Sequence, residues 1–250
     1  MQNIKTAIIG GSGLAQLRDL RDIRREVGRT PYGDPSAPLT MGRLGEREII
    51  FLPRHGLSHQ IPPHKVNYRA NIWVLKSMGV QEVYAVGATG GIDPALKPRD
   101  IVIPTQLIDY TYGREQTFYD GSNSEVRHID FSHPYAEFMR MKLLQAAGTA
   151  GIEAHDGGVY AATQGPRLET VAEIDRIERD GGTIVGMTGM PEAALARELD
   201  LDYALISLVV NPAAGRAGDA TISMQEINDH LEAGMRNVCR VFEAMLSAAE

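Results

Sequence analysis

The sequence predicts an α/β fold, with residues 1–250 forming one domain around a twisted, mostly parallel β-sheet flanked by helices. Three observations lead there. Short apolar runs bounded by Gly or Pro alternate with segments of helical periodicity, the pattern of repeated strand–helix units. Small-residue and charged motifs stand directly after the expected strands, at the edge where open α/β sheets hold ligands. A length of 250 residues with 43% hydrophobic content supports a substantial core without requiring a second domain.

The first strand spans Thr6 to Ile9 and runs into Gly10-Gly11-Ser12-Gly13. Backbone N–H groups and the Ser12 hydroxyl in such a turn can cradle an anion, although a purely structural turn has the same composition. A dinucleotide fingerprint needs a third glycine where Gln16 stands and an acid where Arg24-Arg25 occurs. No Gly-Lys-Ser/Thr follows either, so both nucleotide loops are disfavoured.

The strand Glu48 to Leu52 leads to Pro53-Arg54-His55-Gly56, which sets a fixed cation and an imidazole at the sheet edge. Arg binds phosphate through a bidentate fork, and a protonated or donor His adds a hydrogen bond. A metal site at His55, His59 and His64 is not expected, because no acidic cluster accompanies them and Pro62-Pro63 interrupts any helix that could align them. Val66, Ala70, Val74 and Met78, with Trp73 beside them, mark the core face of a helix. Glu82 to Val86 is the next strand, and Gly87-Ala88-Thr89-Gly90-Gly91 reads as a second turn whose amides can approach an anion.

Asp100 to Ile103 is a further short strand. The stretch Asp109 to Pro134 has little periodicity, yet Phe118, Tyr119, Ile129 and Phe131 predict an ordered loop packed on the body of the protein. Strands at Gly158–Thr163, Thr183–Met187 and Tyr203–Val210 follow. Met224, Ile227, Leu231, Val238, Phe242 and Met245 then form a helical stripe expected to be core.

A formal charge of −7 disfavours a nucleic-acid surface, so an anionic ligand would be held locally by a few Arg, His and backbone groups. The lone cysteine, Cys239, excludes an intrachain disulfide and a thiolate metal cluster. No apolar run approaches the roughly 20 residues that span a bilayer, and the N-terminus lacks a basic segment followed by an apolar stretch. The cytoplasm is the expected location, with no membrane partner.

Several linked motifs resemble the trimeric purine nucleoside phosphorylase and methylthioadenosine phosphorylase family over nearly the whole chain. They are the two glycine-rich segments, Arg54-His55, Ala161 to Glu173 (Ala-Ala-Thr-Gln-Gly-Pro-Arg-Leu-Glu-Thr-Val-Ala-Glu) and Ser207-Leu-Val-Val-Asn211. Val66 to Trp73, Phe118 to Gly121 and Gly186 to Glu192 look especially like the methylthioadenosine branch. The resemblance implies that Ser12, Arg54, His55, Ala88 and Thr188 hold orthophosphate, with Met187 beneath the ribose. It further implies that Glu169 and Asn211 read the base, with Asn211, Arg54 and His55 as the catalytic groups. A 6-oxopurine offers a ring N–H to a carboxylate and a carbonyl and ring nitrogen 7 to an amide, whereas adenine reverses that edge. Glu169 as an acid that merely opens a helix is the competing reading.

By the same resemblance, phosphate attacks the anomeric carbon from the face opposite the base, with no cofactor and no metal. The general nucleoside branch places a His near the start of the last helix, where this chain has Ile222-Ser223-Met224 and no His before His230. An apolar lining by Ile222 and Met224 suits a methylthio group, although ordinary helix-start packing would use the same residues. The expected substrate is therefore 5'-methylthioinosine. Leu168 replaces an aromatic that packs on the base, Gly87 replaces a hydroxyl residue near phosphate, and Ala213 replaces an Asp of the adenine-specific branch. Relatives are homotrimers in which a neighbouring loop covers the sugar, making His128 and Phe131 candidates for a shared site. The rivals are a general inosine and guanosine phosphorylase, a methylthioadenosine phosphorylase and a noncatalytic purine-binding protein. Alanine at Arg54 or His55 is expected to cripple phosphorolysis with the fold intact.

Overall fold

The computed structural model describes residues 4–14, 17, 20–122, 125–218 and 222–247; Gln16 lies outside them. Among the described residues, eleven strands form one sheet. They are β1 (Thr6–Gly10), β2 (Arg21–Glu26), β3 (Leu39–Leu44), β4 (Arg47–Pro53), β5 (Glu82–Gly91), β6 (Ile101–Ile103), β7 (Gln106–Asp109), β8 (Ala154–Asp156), β9 (Val159–Ala162), β10 (Ile184–Gly186) and β11 (Asp202–Pro212). The helices are α1 (Tyr68–Ser77), α2 (Glu137–Thr149), α3 (Val171–Arg179), α4 (Gly189–Glu198) and α5 (Met224–Ser247). The main path runs β2-β3-β4-β1-β5-β10-β9-β7, with β11 branching from β5 to β6 and on to β8. Six of the ten pairings are parallel, and the antiparallel ones are β2–β3, β3–β4, β5–β10 and β6–β11.

The continuous apolar runs of β1 and β11 follow from burial on both faces, since alternate side chains enter different cores. Ala7 and Ile9 pack with Ile72 and Val74 of α1 and Ala193 and Leu195 of α4. Ile8 between them packs with Met139 and Leu143 of α2 and Val238 and Phe242 of α5. Helix α3 covers a smaller cluster through Ile174 and Ile177. Its start is set by a capping box, in which the Thr170 hydroxyl accepts from the Glu173 N–H and the Glu173 carboxylate accepts from the Thr170 N–H.

Two expected strand ends move. The glycines after Val86 do not turn; β5 continues to Gly91 and pairs with β11 as far as Gly91–Pro212. Space is tight there: a Cβ on Gly90 would stand 3.2 Å from Val185 Cγ1 and one on Gly91 3.2 Å from Val209 Cγ1, so those side chains would have to shift. Strand β11 likewise continues past Val210, with its register shifting between Val209 and Asn211. Four strands were not anticipated: β2, β3, β7 and β8.

The loop between β7 and α2 is ordered where described, as its apolar anchors suggested. Phe118 is buried, and Tyr119 and Phe131 pack against the core. The buried Glu198 of α4 holds the loop by accepting from Thr117 Oγ1 at 2.6 Å and from the Phe118 N–H at 2.7 Å.

Candidate active site

The carboxyl ends of β1, β4, β5, β10 and β11 converge on one cavity of about 510 Å³. Ser12, Arg54, His55, Ala88, Leu168, Glu169, Met187, Thr188, Asn211, Ile222 and Met224 all line it. His128 does not; it is exposed on the β7–α2 loop of the same chain.

Close backbone approach shapes the first wall. A Cβ on Gly10 would fall 2.2 Å from the Leu14 carbonyl oxygen, and one on Gly11 would fall 2.4 Å from the Val86 carbonyl oxygen and 3.1 Å from Arg54 Nη1. These contacts require glycine and bring the Ser12 turn against the Arg54 side chain.

Arg54 is fully buried, and most of its donors are already engaged. Its Nε donates to Glu192 Oε2 at 2.6 Å, Nη2 to Glu192 Oε1 at 2.7 Å and Nη1 to the Val86 carbonyl at 2.8 Å. Of five guanidinium N–H groups, this leaves one on each terminal nitrogen. The expected bidentate fork toward phosphate is therefore turned onto Glu192, and any ligand meets the two outer N–H groups. Burial alone would lower the Arg54 pKa, but the charge and hydrogen bonds of Glu192 outweigh it and hold the pKa above its ordinary value. Tyr203, whose pKa burial pushes well up, donates to Glu192 Oε1 at 2.8 Å. Glu192 carries no sign of this role in the sequence beyond following Pro191. Arg54→Ala would strand that buried carboxylate, so the expected survival of the fold comes at a cost in stability.

His55 Nδ1 lies 2.8 Å from the Ile61 carbonyl, which only accepts, so Nδ1 carries the proton. Burial first, and then the Arg54 charge, lower the ring's pKa to about 4. Neutral His55 therefore presents Nε2 as an acceptor, where the sequence suggested a protonated or donor imidazole. With Arg54 paired and His55 uncharged, donors and acceptors rather than surplus positive charge define this end of the cavity. His59 stacks obliquely on His55 with ring centroids 4.7 Å apart. Among the described residues no group of three or more His, Cys, Asp or Glu side chains could hold a metal ion.

Thr188 is buried at the start of α4 and makes no side-chain cap. The backbone N–H groups of Thr188 and Gly189 lie 3.2 and 3.3 Å from the Tyr160 hydroxyl, which satisfies them in place of a ligand. Asn211 follows the register shift in β11, and such irregularities re-aim side chains. Its Nδ2 donates to the Pro212 carbonyl at 2.7 Å, leaving one N–H and the amide oxygen for other partners. Glu169 is half-buried, one residue before the Thr170 cap of α3, and accepts from Thr163 Oγ1 at 2.6 Å. Opening α3 is thus the work of Thr170 and Glu173.

A largely apolar wall comes from Ile222 and the first turns of α5, with Asn228 as its polar member. Ile222, Met224, Ile227 and Leu231 line the cavity. Met224 is 61% exposed and Leu168 40%, so Met224 belongs to the cavity mouth and not to the core stripe that its spacing suggested. His230 turns away, with Nδ1 2.9 Å from the Val210 carbonyl, and does not line this cavity.

Arg114, which had no distinguishing signal in its loop, ties the floor together. Its guanidinium donates to the carbonyls of Met187 (2.9 Å), Met190 (2.6 Å), Thr163 (3.1 Å) and Gln164 (2.8 Å). The segments that carry Glu169 and Thr188 are thereby fixed to each other.

Known proteins resemble this chain over most of its length. A family model described as the phosphorylase superfamily matches residues 5–247. A Pseudomonas syringae pv. tomato protein named probable S-methyl-5'-thioinosine phosphorylase is 54% identical over 244 residues, covering 97% of this chain and 98% of the relative. The 6-oxopurine nucleoside phosphorylase of Pyrococcus furiosus is 47% identical over 219 residues, covering 86% and 82%. The solved structure of methylthioadenosine phosphorylase from Schistosoma mansoni in complex with adenine matches with a TM-score of 0.92 at 31% identity, covering 98% of this chain and 91% of that one. Agreement of this extent in sequence and overall fold leaves one family assignment: the chain belongs to the phosphorylase superfamily.

Proposed function

We propose that residues 1–250, as one nucleoside phosphorylase domain, cleave the N-glycosidic bond of S-methyl-5'-thioinosine with orthophosphate, yielding hypoxanthine and 5-methylthioribose 1-phosphate. The observation that carries this reading is one cavity holding Glu169 and Asn211 together with Ser12, Arg54, His55 and Thr188, beside an apolar wall from α5. The relatives named for methylthioinosine and for 6-oxopurine nucleosides support it.

Orthophosphate is a co-substrate, and no cofactor is needed. The outer N–H groups of Arg54, the hydroxyls of Ser12 and Thr188 and the Ala88 backbone donate to it, while His55 Nε2 accepts from a P–OH group. A phosphate oxygen forms the new bond to the anomeric carbon as the bond to the purine breaks, and the electron pair passes to the base. Bound phosphate stabilises the cationic sugar, and the remaining Asn211 N–H stabilises the charge at ring nitrogen 7. Glu169 accepts the ring N–H that 6-oxopurines carry and adenine lacks.

Inosine and guanosine present the same base edge, so the sugar decides between the two readings. Ile222, Met224, Ile227 and Leu231 offer a hydroxyl no partner, Asn228 is the one polar side chain of α5 in the lining, and His230 lies outside it with Nδ1 on the Val210 carbonyl. Burying an unpaired hydroxyl is unfavourable, which favours the methylthio group. In this reading the enzyme is a cytoplasmic homotrimer in which His128 and Phe131 of a neighbouring copy cover the open mouth near Met224 and Leu168. The test is phosphate-dependent release of hypoxanthine, comparing methylthioinosine with inosine under identical conditions. A higher kcat/KM for inosine would reassign the sugar pocket, and no release from either would reject the phosphorylase reading.

A further inference from the structure

Thr163 follows the last residue of β9, and its hydroxyl reaches across the Gly165-Pro166 turn to Glu169 Oε1 at 2.6 Å. A hydroxyl has one proton to give. The Gly186 carbonyl lies 3.3 Å from the same Oγ1 but already accepts the Thr163 N–H at 2.8 Å. Hydrogen bonds to a carboxylate are shorter and roughly twice as strong as neutral ones, so the proton goes to Glu169. Glu169 has no other hydrogen-bond partner among the described residues. One carboxylate oxygen is therefore fixed by Thr163, and the other is left to meet a ligand.

This arrangement bears on how the base is read. An ionised carboxylate only accepts, so how well it reads a ring N–H depends on where its oxygens are held. Holding one oxygen with a donor restricts rotation of the group and so limits where the other oxygen can stand as an acceptor. Backbone bonds fix Thr163 itself: its N–H goes to Gly186, and its carbonyl accepts from Arg114 Nη2 at 3.1 Å. The hydroxyl is thus held at a constant position relative to the cavity floor.

We propose that Thr163 is a specificity-determining positioning residue, whose hydroxyl holds the Glu169 carboxylate as an acceptor and so sets the preference for purines bearing a ring N–H over adenine. The proposal rests on the reading of Glu169 as the group that meets the base.

The test compares Thr163→Val, Thr163→Ala, Thr163→Ser and Glu169→Gln on methylthioinosine and methylthioadenosine, with phosphate titrated separately. Thr163→Val preserves shape and every backbone bond; Thr163→Ala provides a second hydroxyl-free variant should the first fold poorly. Loss of a hydrogen bond to a charged group predicts a rise of about 10- to 150-fold in KM for methylthioinosine and a fall in its kcat/KM advantage over methylthioadenosine. The KM for phosphate should change little, and Thr163→Ser should recover most of the preference. A merely structural role would lower stability and raise both KM values without altering the ratio of the two nucleosides. Folded hydroxyl-free variants with the wild-type ratio would overturn the proposal while Glu169→Gln, if it collapses that ratio, upholds the base reader. An unchanged ratio in Glu169→Gln would remove the base reader and the proposal together.

Discussion

Replacing Arg54 with Met separates what this side chain does for the fold from what it does for phosphate. Arg54 and Glu192 are both fully enclosed and share two charge-assisted hydrogen bonds of 2.6 and 2.7 Å. In Arg54→Met, Glu192 keeps only the Tyr203 hydroxyl at 2.8 Å. Removing one member of a buried pair costs about 3–5 kcal/mol, because the survivor is a desolvated charge without its counterion. Arg54→Met with Glu192→Gln removes both charges and still gives Tyr203 an acceptor, so stability should return to within about 1–2 kcal/mol of the parent. The single and double variants should therefore differ by about 1–4 kcal/mol. Activity should not return, because a fixed donor at developing charge is worth about 2.7–4 kcal/mol in kcat. Urea unfolding without phosphate, at constant protein concentration, reads the first quantity, and hypoxanthine release against phosphate concentration reads the second. Equal stability of the single and double variants would refute the buried-pair reasoning, and a wild-type phosphate KM in the double variant would remove Arg54 from the phosphate site.

Three further outcomes follow from the same cavity. The His55 pKa is about 4 in the folded chain against an ordinary 6.5, so the unfolded chain binds the extra proton first. Stability should then fall by about 3 kcal/mol as pH drops from above 6.5 to about 4; His55→Gln should flatten that slope, and parallel urea midpoints at pH 7 and 4.5 in both proteins would contradict it. Asn211→Asp should shift preference toward methylthioadenosine, and since a carboxylate cannot donate to the Pro212 carbonyl now 2.7 Å from Nδ2, it should also lose about 1 kcal/mol of stability. Unchanged rates and selectivity would show that Asn211 does not read the base. Gly11→Ala, whose Cβ would meet the Val86 carbonyl at 2.4 Å, should cost about 1–3 kcal/mol and raise the phosphate KM, whereas Gly87→Ala meets only Leu205 at 3.6 Å and should stay within about 1 kcal/mol of the parent by thermal unfolding.

What the sequence disclosed depended on how far each feature could be read from neighbouring residues. Buried strands such as Thr6–Gly10 announce themselves as unbroken apolar runs, and the α1 and α5 stripes as helical periodicity. Strand β2 reads Arg-Asp-Ile-Arg-Arg-Glu with all six residues exposed, and β8 has only three residues, so neither carries a pattern. They exist because β3 and β6 supply the hydrogen bonds. Motif residues at strand ends were legible because their chemistry is local. Glu192, Arg114 and Thr163 were not, since each acts on groups from six to 138 positions away and looks like an ordinary residue in its own segment. Periodicity put Met224 in the core stripe because it reports which face a residue occupies, not how far along the helix the covering layer extends, whereas the resemblance put it in the cavity that it lines.

The exposed strand β2 also bears on how this protein avoids sticking to itself. An outermost strand offers unpaired backbone groups on which another chain can add, and a flat apolar edge invites stacking into aggregates. Here the edge carries three arginines, an aspartate and a glutamate, with Ile23 as its one apolar side chain. Its pairing with β3 breaks register between Arg21 and Arg24, and Asp22 takes a positive φ of 54°. An incoming strand would have to match that irregular backbone while crowding five charged side chains. The segment least protected by packing is thereby a poor template for edge-to-edge growth, and neutralising its charges while keeping the backbone should be a direct route to an aggregation-prone form.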